Sequence, residues 1–259
     1  MSVEVASTLL GDPDRPMVVM SSALGTTRAM WDAQNALTAR YSLLLYDHRG
    51  LGASPAPRGP YSLEDLGGDV IALLDKFGAG AVSFCGVSLG GMVGLWIAAH
   101  HPQRINRLVV VATLPRLQPA TRYTDRAATV RADGIGSIAS SVVARWFTAR
   151  FAREHPETLR GYEETLAAMD AEGYASCCEA IATGDLRTDI HKVDAPTLII
   201  VGAEDPVVPA SSAVMFGASF RDANVAVVPD AAHLVNVEQP AIVNGLVLEH
   251  LSEGGGGAP

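Results

Sequence analysis

Cysteine is scarce in this chain: Cys85, Cys177 and Cys178 are an odd number among 259 residues, with no CxxC pair and no Cys/His spacing suited to a metal. That argues against a disulfide framework or a zinc ribbon, so a cytoplasmic location is expected and no metal or other cofactor. Cations are also in short supply, 19 basic residues against 28 acidic for a formal net charge of −9, and they form no basic run. A nucleic-acid partner is therefore not expected. No apolar run approaches the roughly 18 residues of a membrane span. Residues 1–11 lack a cationic start, an apolar stretch and a small-residue cleavage site, so neither export nor membrane insertion is expected. No GxGxxG follows a strand, which disfavours nucleotide binding, and no internal repeat is visible. What remains is a chain 48% hydrophobic and 18% charged, able to bury one extensive core at a length that α/β domains often reach.

Short aliphatic runs at 17–20, 43–46, 82–85 and 107–111 alternate with helix-like segments, the signature of a parallel sheet covered on both faces. Between the second and third runs, Ser62 reads as an N-cap. The acids Glu64 and Asp65 and an apolar stripe of Leu66, Val70, Leu73, Leu74 and Phe77 follow, with Gly78 as the stop. After Pro115 the strand rhythm lapses until Thr197. The intervening segment carries helical periodicity at 144–153, 157–168 and 176–182 and reads as an inserted cap. Strands at 197–201 and 225–228 and helices at 211–220 and 240–251 complete the chain. The expected layout is a core of 1–114 and 191–251, a helical cap over 115–190 and a flexible tail over 252–259, rich in glycine.

Gly86-Val87-Ser88-Leu89-Gly90 fits G-x-S-x-G, weak as a pentapeptide but here set directly between the strand at 82–85 and a helix through Met92, Leu95, Trp96 and Ala99. That placement makes a sharp elbow, with the serine hydroxyl raised above the sheet and Gly86 and Gly90 leaving room for strand and helix to approach. A serine needs a base to take its proton. His233 is preferred among seven histidines because it follows the last strand and precedes the last helix. His100, His101, His155 and His250 lie on or near helical stretches and read as solvated, and His48 is the competitor, read as a hydrogen-bonded loop residue. Asp205, in the Pro-flanked loop after the strand at 197–201, is the expected carboxylate partner, with Glu204 a surface acid. Two backbone donors for a developing oxyanion are expected at Leu89 N–H and at Leu24 N–H, the latter in the loop after the first central strand.

With those residues placed, 17–251 resembles the 3-oxoadipate enol-lactone hydrolases of the α/β-hydrolase family. The resemblance runs through Ser-Ala-Leu-Gly-Thr-Thr at 22–27 with Met30-Trp31 after it, Tyr-Asp-His-Arg-Gly-Leu-Gly-Ala-Ser at 46–54, Gly-Pro-Tyr-Ser at 59–62, the elbow at 85–92 and Arg-Trp-Phe-Thr at 145–148. The elbow and Asp-x-Arg-Gly are shared widely; the Ser-x-Leu-Gly loop and the cap motif discriminate more, and the His-Gly pair that many relatives carry in that loop is missing. The resemblance implies an α/β-hydrolase fold, a mostly parallel central sheet flanked by helices with an inserted helical cap. The order Ser, Asp, His agrees with it. It also implies hydrolytic opening of a five-membered enol-lactone bearing an acetate side chain, without metal or nucleotide. The partner is then a small anionic lactone or ester, with Arg145, Trp146 and Trp31 as substrate contacts. The alternative for Arg145 and Trp146 is packing within the cap, and for Trp31 a place in the core. Rival functions are a general esterase or cofactor-free perhydrolase on the same triad and, from another class, a ligand receptor on a hydrolase scaffold; a dehalogenase would place aspartate at position 88.

Overall fold

A computed structural model describes residues 2–252. Seven strands form one sheet in the order β1-β3-β2-β4-β5-β6-β7: β1 Ser7–Leu10, β2 Met17–Ser21, β3 Ser42–Tyr46, β4 Val82–Val87, β5 Ile105–Val111, β6 Thr197–Gly202 and β7 Ala223–Val228. Every pairing is parallel except β1 with β3. β3 and β6 are buried along their whole length, as strands covered on both faces must be, which is why they read as unbroken apolar runs. β1 was not expected from the sequence. It is four residues on the sheet edge, half-buried apart from the exposed Thr8, and too short for a periodic signal.

Helices cover the sheet. α1, Leu63–Lys76, starts at a capping box in which Asp65 N–H donates to Ser62 Oγ at 3.1 Å and Ser62 N–H donates to the Asp65 carboxylate at 3.1 Å. It buries Leu66, Val70, Leu73 and Leu74, while Phe77, expected on that stripe, is the C-cap and lies exposed. α2, Leu89–His100, is buried nearly all round because it runs from the elbow under the sheet's flank. On the carboxyl side of the chain, α8 Ala210–Gly217, α9 Val235–Glu238 and α10 Pro240–Ser252 complete the layer. α8 stops at Gly217 rather than running to residue 220. Ser252, expected in the tail, is the last residue of α10, and the rest of the expected tail, 253–259, lies outside the described residues.

Between β5 and β6 five helices form a layer of their own: α3 Thr121–Asp133, α4 Ala139–Val143, α5 Ala149–Glu154, α6 Pro156–Ala167 and α7 Ala171–Thr183. The two ends of this insertion are stitched together, Leu186 N–H donating to the Pro115 carbonyl at 2.8 Å. The helix expected at 144–153 is a turn followed by α5: α4 has already closed, with Ala144 as its C-cap, and Thr148 opens α5 by accepting Phe151 N–H at 3.1 Å. α3 was not anticipated; Tyr123, Ala127 and Val130 are its buried stripe, at i, i+4, i+7 among polar neighbours.

The strand order reverses between β2 and β4, since β3 lies on the outer side of β2 while β5, β6 and β7 continue beyond β4. Crevices for ligands open at the carboxyl ends of strands at such a switch point.

Candidate active site

Ser88 follows β4 with φ +53° and ψ −112°, a positive φ that non-glycine residues rarely adopt. Strain of this kind costs about 1–3 kcal/mol and persists only where its surroundings enforce it. Here Ser88 N–H donates to the Val111 carbonyl at 2.8 Å, and its own carbonyl accepts Met92 N–H at 3.0 Å. The turn admits no side chain at its flanks: a Cβ on Gly86 would sit 2.3 Å from the Gly90 carbonyl oxygen, and one on Gly90 2.2 Å from that of Ser21.

Asp205 and His233 arrive on the loops after β6 and β7, beyond β5 in the sheet. The loop after β6 is tied to the loop after β7 by Ala203 N–H to the Val228 carbonyl at 2.8 Å and Glu204 N–H to the Ala231 carbonyl at 3.0 Å. Glu204 itself points to solvent. Asp205 Oδ1 accepts the N–H groups of Val207 and Val208 at 2.7 and 3.0 Å, which leaves Oδ2 for His233 Nδ1 at 2.9 Å. All three residues are buried, and His233 and Ser88 line one cavity. With Nδ1 committed to the carboxylate, Nε2 is the ring nitrogen available for chemistry.

Leu24 lines the same cavity. The neighbouring Ala23 N–H donates to Met30 Sδ at 3.3 Å, and Thr26 closes the turn through its N–H and hydroxyl to the Ala23 carbonyl at 3.1 and 2.8 Å. Among the described residues neither Leu24 N–H nor Leu89 N–H, the first of α2, has an acceptor. The two are donors left free beside Ser88.

His48 is fully buried, with Nε2 on the Ser22 carbonyl at 3.0 Å and 3.3 Å from Ser21 Oγ. Burial pushes its pKa down to about 4. It is a neutral prop under the loop that carries Leu24 and does not itself line the cavity. Of the other histidines, His250 was expected in solvent but is buried, its Nε2 on the Pro196 carbonyl at 3.2 Å.

The cap forms the opposite wall. Arg145 and Trp146, in the turn between α4 and α5, line the cavity, and so do Arg122 and Arg126 of α3, which the sequence reading did not single out. Trp146 stands edge-on to Tyr162 at 5.8 Å. Trp31 does not line the cavity. It lies wholly buried with Met30, Gln34 and Leu37 on the inner side of the 3₁₀ helix Arg28–Ala39, so of the two alternatives it takes the core. Arg126 Nη1 reaches only the Tyr174 hydroxyl, at 3.4 Å. Among the described residues no carboxylate pairs with Arg122, Arg126 or Arg145, whereas Arg131 on the same helix holds Glu172 and Glu179 at 2.8 and 2.6 Å. Burial, with repulsion from Arg126 and Arg122, lowers the Arg145 pKa from its usual range. The signal for α3 was present as Arg122 and Arg126 at i, i+4 beside the buried Tyr123, but nothing local says which face meets a cavity.

Among the described residues no cluster of three or more His, Cys, Asp or Glu side chains could hold a metal, and no helix is long and apolar enough to cross a membrane.

The α/β hydrolase fold family matches residues 16–240. The chain is 40% identical to 3-oxoadipate enol-lactonase 2 of Acinetobacter baylyi over 92% of its own length and 89% of that protein's. Among solved structures it is similar to a hydrolase from Pseudomonas aeruginosa, with a TM-score of 0.92 and 39% identity over 95% of this chain and 94% of the other. It is also similar to the enol-lactonase from Burkholderia xenovorans LB400, with a TM-score of 0.94 and 34% identity over 96% of this chain and 97% of the other. A parallel sheet with its switch point, a strained serine at the β4–α2 turn and likeness over nine-tenths of the length lead to one assignment: the chain belongs to the α/β-hydrolase fold family and is a hydrolase of that family.

Proposed function

We propose that this hydrolase opens 3-oxoadipate enol-lactone to 3-oxoadipate through an acyl-enzyme on Ser88, with His233 as base and Asp205 as its carboxylate partner. The observation that carries the substrate class is the cavity's charge. Three guanidinium groups with no carboxylate partner among the described residues face the space that Ser88 and His233 share, in a chain whose net charge is −9. A small substrate with a free carboxylate satisfies them; a neutral ester leaves them repelling one another. The names of the similar enol-lactonases from A. baylyi and B. xenovorans agree with that class.

Ser88 Oγ attacks the lactone carbonyl as His233 Nε2 takes its proton, and the oxyanion is met by Leu24 and Leu89 N–H, donors whose loss in other enzymes costs roughly 3–4 kcal/mol each. The ring C–O bond breaks, and the enol oxygen leaves with the proton from His233. Ketonisation of that enol draws the step forward. Water, deprotonated by His233, then attacks the acyl carbon and releases 3-oxoadipate with Ser88 restored. Arg145, Arg126 and Arg122 hold the substrate's acetate carboxylate while Trp146 covers the ring. In use, the protein belongs to aromatic catabolism.

The test is the ultraviolet loss of freshly generated 3-oxoadipate enol-lactone on adding protein, with Ser88→Ala as control and p-nitrophenyl acetate for comparison. Rapid Ser88-dependent loss, at a kcat/KM far above that for the simple ester, is the expected result. Brisk ester cleavage with the lactone untouched overturns the lactonase reading in favour of a general esterase.

A further inference from the structure

Glu238, at the end of α9, is buried at 8% exposure and has no cationic partner among the described residues. A carboxylate so placed needs strong donors on both oxygens. Oε1 accepts both the N–H and the hydroxyl of Thr148, each at 2.8 Å, and Oε2 accepts Ala232 N–H at 2.5 Å. Thr148 is the N-cap of α5 in the cap, and Ala232 precedes His233. On the other side of His233, Leu234 N–H donates to the Trp146 carbonyl at 2.9 Å. His233 is thus the middle of a three-residue span whose two ends are both tied to the cap segment 146–148, one directly and one through Glu238.

We propose that Glu238 is a positioning residue for His233: a carboxylate strut that ties the histidine loop to the cap turn carrying Arg145 and Trp146. Asp205 fixes the imidazole ring, and Glu238 fixes the backbone from which that ring hangs. Only a carboxylate fits, because it presents acceptors in both directions. A glutamine accepts on one side and turns an NH2 toward Ala232 N–H or Thr148 N–H on the other, so one anchor is lost. The inference rests on the reading of Ser88, Asp205 and His233 as a triad, and its test separates the two.

A fluorophosphonate reports triad competence without any need for lactone recognition: Ser88 Oγ bonds to phosphorus, fluoride leaves and His233 takes the proton. The measurement is the inactivation rate against reagent concentration, with melting temperature recorded for each variant. Wild type should be inactivated and Ser88→Ala should not be labelled; an unreactive wild type overturns the triad reading and the strut with it. Glu238→Gln should lower the maximal inactivation rate by about tenfold or more, the scale expected when a base is misplaced by a fraction of an ångström. Its half-saturating concentration should stay as in wild type. Thr148→Val, which removes one of the two donors on Oε1 and leaves the Thr148 N–H, should slow the reaction in the same sense but less than Glu238→Gln, and Thr148→Ser should restore it. A Glu238→Gln protein that reacts within twofold of wild type overturns the strut while the triad stands. If Glu238→Gln does not fold, Thr148→Val and Thr148→Ser decide, and equal rates in those two overturn the proposal.

Discussion

The two walls of the cavity are built in opposite ways. On the sheet side the polar groups around Ser88 are tied to the protein itself: Asp205 spends both oxygens on three donors, His48 holds the Ser22 carbonyl, and the elbow is pinned to β5. On the cap side three arginines have no carboxylate partner among the described residues. Groups that must meet a transition state gain from being fixed in advance, since reorganisation at the moment of reaction costs rate. Groups that must recognise a ligand have to be left free for it. Leu24 and Leu89 N–H depart from this pattern on the sheet side, having no acceptor among the described residues, which suits the oxyanion role proposed for them.

The sharpest way to break the comparison is to disturb one wall and see whether the effect stays there. Asp205→Asn keeps an acceptor for Val207 and Val208 but presents an amide N–H to His233 Nδ1, forcing the wrong tautomer. We expect kcat to fall about 10⁴-fold for the anionic lactone and for p-nitrophenyl acetate alike. A loss confined to the lactone would mean that the sheet wall also selects substrate.

His48 tests whether the sheet wall's rigidity carries a pH cost. Folded, it stays neutral to about pH 4, while in the unfolded chain it protonates near 6.5. The unfolded state therefore binds the extra proton between those values. The stability is fully present above pH 6.5 and falls by about 3 kcal/mol as the pH drops to 4, where the loss levels off. Urea titrations at pH 7 and 4.5 measure it, and His48→Gln should flatten that part of the profile. An unchanged slope in the variant would show that His48 is not the group responsible.

The smallest effect belongs to the cap. Arg145→Ala should raise KM for the anionic lactone about tenfold, the value of one hydrogen bond to a charged group. It should leave kcat and the neutral ester nearly untouched. Equal losses on both substrates would make Arg145 a packing residue.

The same division governs what could be read from the sequence. The elbow is a local pattern, set by a strand, a tight glycine turn and a helix in immediate succession, so Ser88 could be read from ten residues. Asp205 and His233 were expected from their position after strands; the fold bonds His233 to Asp205 and brings His233 to one cavity with Ser88. The cap was legible as helical but not in detail. α4 ends at Val143, a turn follows and Thr148 caps α5, whereas periodicity alone reads a single helix over 144–153. Arg122 and Arg126 could not be told from an ordinary charged face, because Arg131 on the same helix is an ordinary surface ion pair. Trp31 resembled a pocket aromatic by its motif and belongs to the core by its place in the fold. Glu238 offered no sequence signal, since its bonds to Thr148 span 90 positions.

The central claim, that the sheet wall carries an acyl-transfer nucleophile at Ser88, is tested most directly by acid-quenching the protein during p-nitrophenyl acetate turnover and mapping the acetyl group by peptide mass spectrometry. The account predicts acetyl on the peptide bearing Ser88 in wild type and none in Ser88→Ala, which should also lose turnover. Acetyl on another residue, or undiminished turnover by Ser88→Ala, would contradict it.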